Sequence, residues 1–346
     1  MIVNAISKIR GGEDLTVEQA QELLTHIFKN NVDSEKLKDL LEALIKKGES
    51  VSEIVGFAKA MRSTMTAVPL STDDNAIIMD VCGTGGVKKD RFNLSTASAF
   101  VLAAADVKVA KHGNYGSKKI NGSFNFLEAL EIPFNLSIEE LQTQFEKTGL
   151  CFLFARLFHP AMKTVAGVRQ DIGKRTIFNL LGPLSNPASV KHQIVGCTSL
   201  ETGRKLAQAL SQLGVERALV VVGADGLDEL EVSKDNIILE INNQDDIKEY
   251  TFDSTSLVSF SDKAIPDYSD SGKNAYFFEL LIDAPALFAL HPVMALLYLN
   301  AGAGFYCAKK VNSIEEGIEL AKQTIQSGEL SEFIHKFKQT PSSQKN

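Results

Sequence analysis

The residues best able to do chemistry lie where short apolar runs end in glycine. The run Ile77–Val81 leads into Cys82, Gly83, Thr84, Gly85 and Gly86, and after Val87–Phe92 a small-residue helix opens at Asn93, Leu94, Ser95 and Thr96. Glycine lets a ligand approach the backbone closely, and the free N–H groups at a helix start attract anions. A phosphate suits this arrangement. The loop matches neither GxGxxG nor GxxxxGK followed by Ser or Thr, so as a bare pattern it also fits a tight turn with a capped helix. A second segment repeats the coincidence: Val107–Ala110 ends in Lys111, His112, Gly113 and Asn114, and Gly122 with Ser123 opens the helix around FNFLEAL. Lys111, Lys118 and Lys119 add positive charge there. Two such loops point to a phosphorylated ligand more strongly than one. His112 reads either as a hydrogen-bonded structural imidazole or as a ligand contact, and Lys118 and Lys119 either as solvated or as phosphate contacts.

A third candidate is Asp228 with Glu229, in GADGLDELEVS directly after the apolar run ending at Val222. Adjacent carboxylates in a loop at a strand's carboxyl end can turn toward one hard cation such as Mg²⁺, which takes few protein oxygens and keeps water and phosphate as its other ligands. A solvated acidic turn is the alternative. The fourth is Arg169, whose guanidinium could hold a planar carboxylate by two parallel hydrogen bonds. Arg175 competes for that role, and a surface ion pair is the plainer reading of either.

Positioning these groups requires a scaffold, and the texture of the chain indicates which. Residues 1–68 read as successive helices, with capping residues at Leu15-Thr16, Asp33-Ser34 and Ser50 ahead of apolar spacing of three and four. A polar connector, Pro69 to Asn75, follows. Beyond it, β-branched runs at Ile77–Val81, Val107–Ala110, Ile194–Val195 and Ala218–Val222 alternate with helical patterns, which predicts an α/β domain with a mainly parallel sheet. Residues 137–182 return to helical spacing and either rejoin the bundle or cover the sheet. The expected organisation is a helical domain over 1–70, joined by helices from about 137–182, and an α/β domain over 71–346. Ser313 opens a late amphipathic helix, and the tail KQTPSSQKN is expected to fray.

Composition narrows the function classes. With 44% hydrophobic and 23% charged residues among 346, the chain has the balance of a globular protein. A formal charge of −7, with basic residues dispersed, disfavours nucleic-acid binding through bulk charge. Cys82, Cys151, Cys197 and Cys307 lie far apart with no CxxC pair, which fits free thiols in a reducing compartment. No signal-peptide pattern opens the chain, so a cytoplasmic location is expected. The most apolar stretch, 280–306, is broken by Asp283, Pro285, His291, Pro292 and Asn300, so no membrane span is expected.

These residues resemble the anthranilate phosphoribosyltransferase family of tryptophan biosynthesis, which joins anthranilate to the phosphoribosyl group of phosphoribosyl pyrophosphate (PRPP). The likeness runs over nearly the whole chain, through KKGESVSEIVGFAKAMR, GTGG, FNLSTA, AKHGN, GSFNFLEAL, HPAMKTVAGVR, RTIFNLLGPLSNP, LDE and NAGAGFYCAKK. It implies a small helical domain on a large α/β domain, usually a homodimer, with the active site in the cleft between domains. It implies PRPP contacts at Gly83, Gly86, Asn93, Leu94, Ser95, Thr96, Lys111 and Ser123, with Lys119 a further basic contact in the same loop. Gly83, Asn114 and Arg169 would meet anthranilate, and Ser95, Asp228 and Glu229 would hold Mg²⁺. No residue is implied as covalent nucleophile or acid–base catalyst.

The chain also departs from the family pattern. Val87 replaces an Asp after GTGG, Arg91 a Thr before the Phe-Asn pair, and Tyr115 an Arg after KHGN. Lys118 and Lys119 stand for serines, and Asn125 for an Asp. Either the new basic groups grip the same pyrophosphate differently, or donor, acceptor or catalysis has changed. The retained Asn93, Ser95, Lys111, Asn114, Arg169, Asp228 and Glu229 favour the first. A nucleoside phosphorylase of the same broad fold would need no metal clamp for a diphosphate, and a nucleic-acid-binding relative would have to rely on Lys88, Lys89, Arg91, Lys118 and Lys119.

Overall fold

The computed structural model describes the chain except residues 31, 72–75, 86–90, 117–119, 244–245, 262–267 and 341–346, and the side chain of Asp225. Four helices come first: α1 (Ile2–Arg10), α2 (Val17–Lys29), α3 (Ser34–Lys47) and α4 (Val51–Thr64). Local chemistry starts three of them where the sequence indicates. Thr16 and Ser50 form capping boxes with Gln19 and Glu53, and the Asp33 carboxylate accepts from Lys36 N.

Seven strands among the described residues then form one sheet. They are β1 (Ile78–Gly83), β2 (Lys108–Gly113), β3 (Leu150–Phe154), β4 (His192–Gly196), β5 (Arg217–Val222), β6 (Asn236–Asn242) and β7 (Ile247–Phe252), in spatial order β3-β2-β1-β4-β5-β6-β7. The first five pair in parallel, and β6 and β7 extend the sheet antiparallel. The later helices are α5 (Leu94–Ala104), α6 (Ser123–Ala129), α7 (Ile138–Thr148), α8 (Ala155–Phe158), α9 (Lys163–Ile172), α10 (Phe178–Leu181), α11 (Leu200–Gln212), α12 (Ser271–Asp283), α13 (Pro292–Cys307), α14 (Ile314–Gln326) and α15 (Glu329–Gln339). Among the described residues no helix is long and apolar enough to cross a membrane.

Alternation along the strands divides the core in two. Leu219 and Val221 of β5 face one cluster, with α5, α12, α13, α14 and α15, whereas Ala218, Val220 and Val222 face the other, with α11 and the N-terminal helices. The small residues Ala97, Ser98, Ala99 and Ala103 make α5 buried nearly all round, between the sheet and α13.

The structure resolves the open point over 137–182 by splitting the segment. α7 covers β3 at the sheet edge, while α9 packs on α3 and α10 on α4. Within that stretch LCFLF is a strand, not a helix, and it is buried at every position. A short, wholly apolar run has no periodicity to distinguish the two. β6 and β7 were likewise not legible as strands, and β2 runs on through Lys111 and His112 to Gly113. The chain is helical to Gln339, and the rest of the expected frayed tail, 341–346, lies outside the described residues, as do 72–75 of the connector.

Phe100 of α5 has no exposure and meets the rings of Phe152, Phe278 and Phe337 at centroid distances of 5.2, 6.1 and 5.7 Å. Phe100→Ala should lower the unfolding free energy by about 3–5 kcal/mol, the usual cost of removing a buried ring. Urea unfolding followed by circular dichroism measures it, and a loss under about 1 kcal/mol would contradict a closely packed α5–sheet layer.

Candidate functional site

The acidic loop lies directly over the carboxyl ends of the central strands because glycine stands beneath it. A Cβ on Gly196, at the end of β4, would overlap the Asp228 carbonyl, and one on Gly83, at the end of β1, would meet Asp228 Oδ2 at 2.6 Å. Asn300 of α13 fixes the loop's exit: its Oδ1 accepts from Leu230 N at 3.0 Å and its Nδ2 donates to Leu230 O at 2.9 Å. Asp228 and Glu229 are therefore buried, at 2% and 7% exposure.

Buried carboxylates need compensation. Ser95 Oγ donates to Glu229 Oε1 at 3.5 Å. Burial pushes the Glu229 carboxyl up, and Arg91, Ser95 and Lys111 pull against that shift. Asp228 is ion-paired with the Arg91 guanidinium, and its carboxylate oxygens have no hydrogen-bond partner among the described residues. The donors collected here, two carboxylates and a hydroxyl, are all hard oxygens and fit a Mg²⁺ ion. Among the described residues no group of three or more His, Cys, Asp or Glu converges to hold a metal, here or elsewhere.

At the start of α5, Leu94 N donates to Phe92 O, and Thr96 N and Ala97 N to Asn93 O. The Asn93 side chain does not cap the helix; its Oδ1 accepts from Asn274 Nδ2 at 3.0 Å, and its Nδ2 donates to Asn121 O at 3.5 Å. Asn121 and Asn274 both donate to Arg91 O, at 2.9 and 3.3 Å. Phe92 is buried among Phe126, Tyr268, Phe277 and Phe278. The turn entering α5 is thus anchored on both sides, with Leu94 and Thr96 buried and Ser95 facing Glu229.

In the second loop, Asn114 O accepts from Ser123 Oγ at 3.1 Å and from Phe124 N at 3.3 Å, which joins the strand end to the start of α6. Lys111 lies deeper, its ammonium donating to Val81 O at 2.6 Å. Burial pushes Lys111 down, opposed by Asp80 and Glu229. Tyr115 is half-buried, edge-on to Phe154 and Phe134 at 5.1 and 6.1 Å, with Arg156 over its ring at 5.1 Å.

Arg169 sits in the last turn of α9, its guanidinium 5.4 Å above the Phe178 ring, and Phe178 in turn meets Phe57 of α4. It is half-buried, and among the described residues it has no carboxylate partner; burial alone pushes its pKa down. Arg175 is engaged differently, donating to Thr198 Oγ1 at 3.2 Å. The structure therefore separates the two arginines that spacing left in competition.

Gly86, Val87, Lys88, Lys89, Lys118 and Lys119 lie outside the described residues. Sequence reasoning missed Asn121, Asn274 and Asn300, which reach the site across 30 to 183 positions of chain and carry no local signal. It also left Arg91 without a partner.

His112 has the structural role. Its Nδ1 lies 3.2 Å from Gly182 O and its Nε2 3.2 Å from His159 Nε2. A carbonyl only accepts, so His112 carries its proton on Nδ1 and His159 donates to His112 Nε2. Protonating His112 would set two donors face to face.

Comparison with known proteins places this geometry among relatives. Residues 75–330 match the model of the glycosyl transferase family, a/b domain, and residues 3–65 that of the glycosyl transferase family, helical bundle domain. An anthranilate phosphoribosyltransferase of Persephonella marina is 39% identical over 340 residues, 98% of each chain. One of Rubrobacter xylanophilus is 40% identical over 340 residues, 97% of this chain and 96% of its own. The crystal structure of the Thermus thermophilus anthranilate phosphoribosyltransferase superposes with a TM-score of 0.85 at 36% identity, covering 97% of this chain and 98% of that one. That of Saccharomyces cerevisiae, in complex with PRPP and Mg, shares the fold, with a TM-score of 0.86 at 23% identity over 98% and 97% of the two chains.

The histidine pair makes a pH prediction. Burial lowers His112 from 6.5 to about 3 and His159 from 6.5 to about 4. Unfolded histidines take up protons below about pH 6.5 and the folded pair does not, so this contribution to stability is full above that pH and is lost as pH falls toward 4. The melting temperature should drop between pH 7 and pH 4.5, and the drop should be shallower in the His112→Gln, His159→Gln double variant. Equal slopes would show that the pair does not control it.

Proposed function

The chain belongs to the anthranilate phosphoribosyltransferase family, and we propose that it transfers the phosphoribosyl group of PRPP to the amine of anthranilate, releasing pyrophosphate. The observation that carries this reading is the acidic pair Asp228–Glu229 buried over the strand ends beside the uncapped start of α5. In that reading Gly83, Gly86, Asn93 to Thr96, Lys111, Ser123 and Lys119 contact PRPP. Gly83, Asn114 and Arg169 contact anthranilate. Residues 1–70, with the helices between 163 and 181 that pack on them, form the helical side of the cleft, and the rest of 71–346 forms the donor-binding side.

Ser95, Asp228 and Glu229 would hold Mg²⁺, which when bound supplies positive charge to the departing pyrophosphate. The remaining work falls to positioning. The positive end of the α5 dipole favours phosphate oxygens, and holding donor and acceptor in register lowers the barrier. The half-buried Arg169 guanidinium, without a carboxylate partner among the described residues, receives the carboxylate of anthranilate while Phe178 holds it in place. The amine nitrogen of anthranilate forms a bond to the anomeric carbon as the bond to pyrophosphate breaks, and the amine gives up one proton. An aromatic amine is neutral at pH 7, so orientation matters more than a strong base, and no covalent nucleophile is needed. We also infer a homodimer acting in the cytoplasm; the family resemblance supports the dimer, and the four buried free cysteines a reducing compartment.

Loss of anthranilate fluorescence on mixing with PRPP and Mg²⁺ tests the activity. Turnover of a pyrimidine nucleoside with phosphate, and none with PRPP and anthranilate, would overturn it. Losing a charge-assisted pair costs about 1.5–3 kcal/mol, so Arg169→Ala should raise the KM for anthranilate roughly 10- to 150-fold with a smaller change in kcat. Asp228→Asn with Glu229→Gln should abolish Mg²⁺-dependent turnover. Unchanged kinetics in both would remove the site assignment.

A further inference from the structure

Arg91 is the residue for which the family pattern offers no role, and the structure gives it one. We infer that Arg91 is a built-in counter-ion that holds the Asp228 carboxylate in the donor-free protein and must release it before a divalent cation can bind, so that metal and diphosphate load together. This rests on the proposed metal site at Ser95, Asp228 and Glu229.

Three observations support it. Asp228 is almost wholly buried, and the Arg91 guanidinium is its charged partner. A buried carboxylate is strongly unfavourable unless it is protonated or has a counter-charge, and among the described residues the Arg91 guanidinium is the ion-pair partner of Asp228. The backbone at Arg91 is pinned by Asn121 and Asn274, and the next residue, Phe92, is locked in the aromatic cluster. The side chain of Arg91 is by contrast 30% exposed, against 0% for Asp228. A swing of the guanidinium therefore leaves the α5 entrance in place.

The competition follows from charge. A guanidinium and a divalent cation drawn to one carboxylate repel each other at close range in a weakly screened site. A diphosphate changes the balance, because its oxygens offer the displaced guanidinium a bidentate partner at least as good as the carboxylate it leaves. A family member with Thr at this position has no such internal cation.

Direct Mn²⁺ titration, with free Mn²⁺ read by electron paramagnetic resonance and no PRPP present, tests the inference. Arg91→Thr should bind Mn²⁺ at least about tenfold more tightly than the unmodified protein, while Arg91→Lys stays near it. Arg91→Thr should also melt lower without metal and gain more in melting temperature from saturating Mn²⁺. Should Arg91→Thr fail to fold, the neutral and similarly sized Arg91→Gln makes the same comparison. Equal Mn²⁺ affinity with Arg or Thr at 91, when Asp228→Asn with Glu229→Gln still abolishes binding, would overturn the role of Arg91 and leave the metal site standing. Mn²⁺ binding indifferent to both sets of changes would overturn the metal site, and this inference with it.

Discussion

Burial of two adjacent carboxylates over the ends of a parallel sheet is the constraint around which the rest of this molecule is arranged. Carboxylates so placed must be surrounded by donors and positive charge, and the neighbours of Asp228 and Glu229 meet that demand: Ser95 from the start of α5, Lys111 from β2 and Arg91 from the turn entering α5. The loop descends far enough only because Gly83 and Gly196 present no Cβ to it. Asn300 then clamps the chain as it leaves. Residues separated by more than two hundred positions are tied to a single electrostatic requirement.

Charge of the opposite sign is arranged differently. Arg169 is set on an aromatic ring, partly desolvated and without a carboxylate among the described residues. A surface arginine would normally be fully hydrated or ion-paired. One held partly desolvated, with no carboxylate among the described residues, gains more from an arriving carboxylate, because part of its desolvation has already taken place on folding. An anionic pole awaiting a cation and a cationic pole awaiting an anion together suit a metal-chelated diphosphate and an aromatic acid.

What the sequence made legible was whatever local rules control. Capping residues marked the starts of α2, α3 and α4, and glycine after β-branched runs marked the ends of β1 and β5. β3 stayed hidden because five consecutive buried apolar residues have neither period. β6 escaped because its place depends on antiparallel pairing with β5, not on a crossover. At the site, glycines, the acidic pair and Arg169 were visible, since their types alone suggest chemistry. The asparagines at 121, 274 and 300 were not, because each acts by bridging segments that only the fold brings together.

The departures from the family pattern make physical sense when scaffold and charge are considered separately. Asn125 stands where the family has Asp, yet its Oδ1 still accepts from Gly116 N and Gly122 N, both at 3.0 Å. The acceptor that shapes the loop is kept and its negative charge is gone. Tyr115 stands where the family has Arg, yet Arg156 lies across the Tyr115 ring, so a guanidinium is still present beside that loop, now supplied by α8. Arg91 adds a positive charge where the family has a hydroxyl, while its backbone is held by Asn121 and Asn274. At Asn125 and Arg91 the hydrogen bonds that fix the backbone are present and the local charge is more positive than the family pattern gives, whereas at Tyr115 the guanidinium comes from α8 instead. A site that had simply decayed would lose anchors and charges alike. In the proposed function, these anchors keep the loop geometry that an anionic donor requires while its negative charge is met by different side chains.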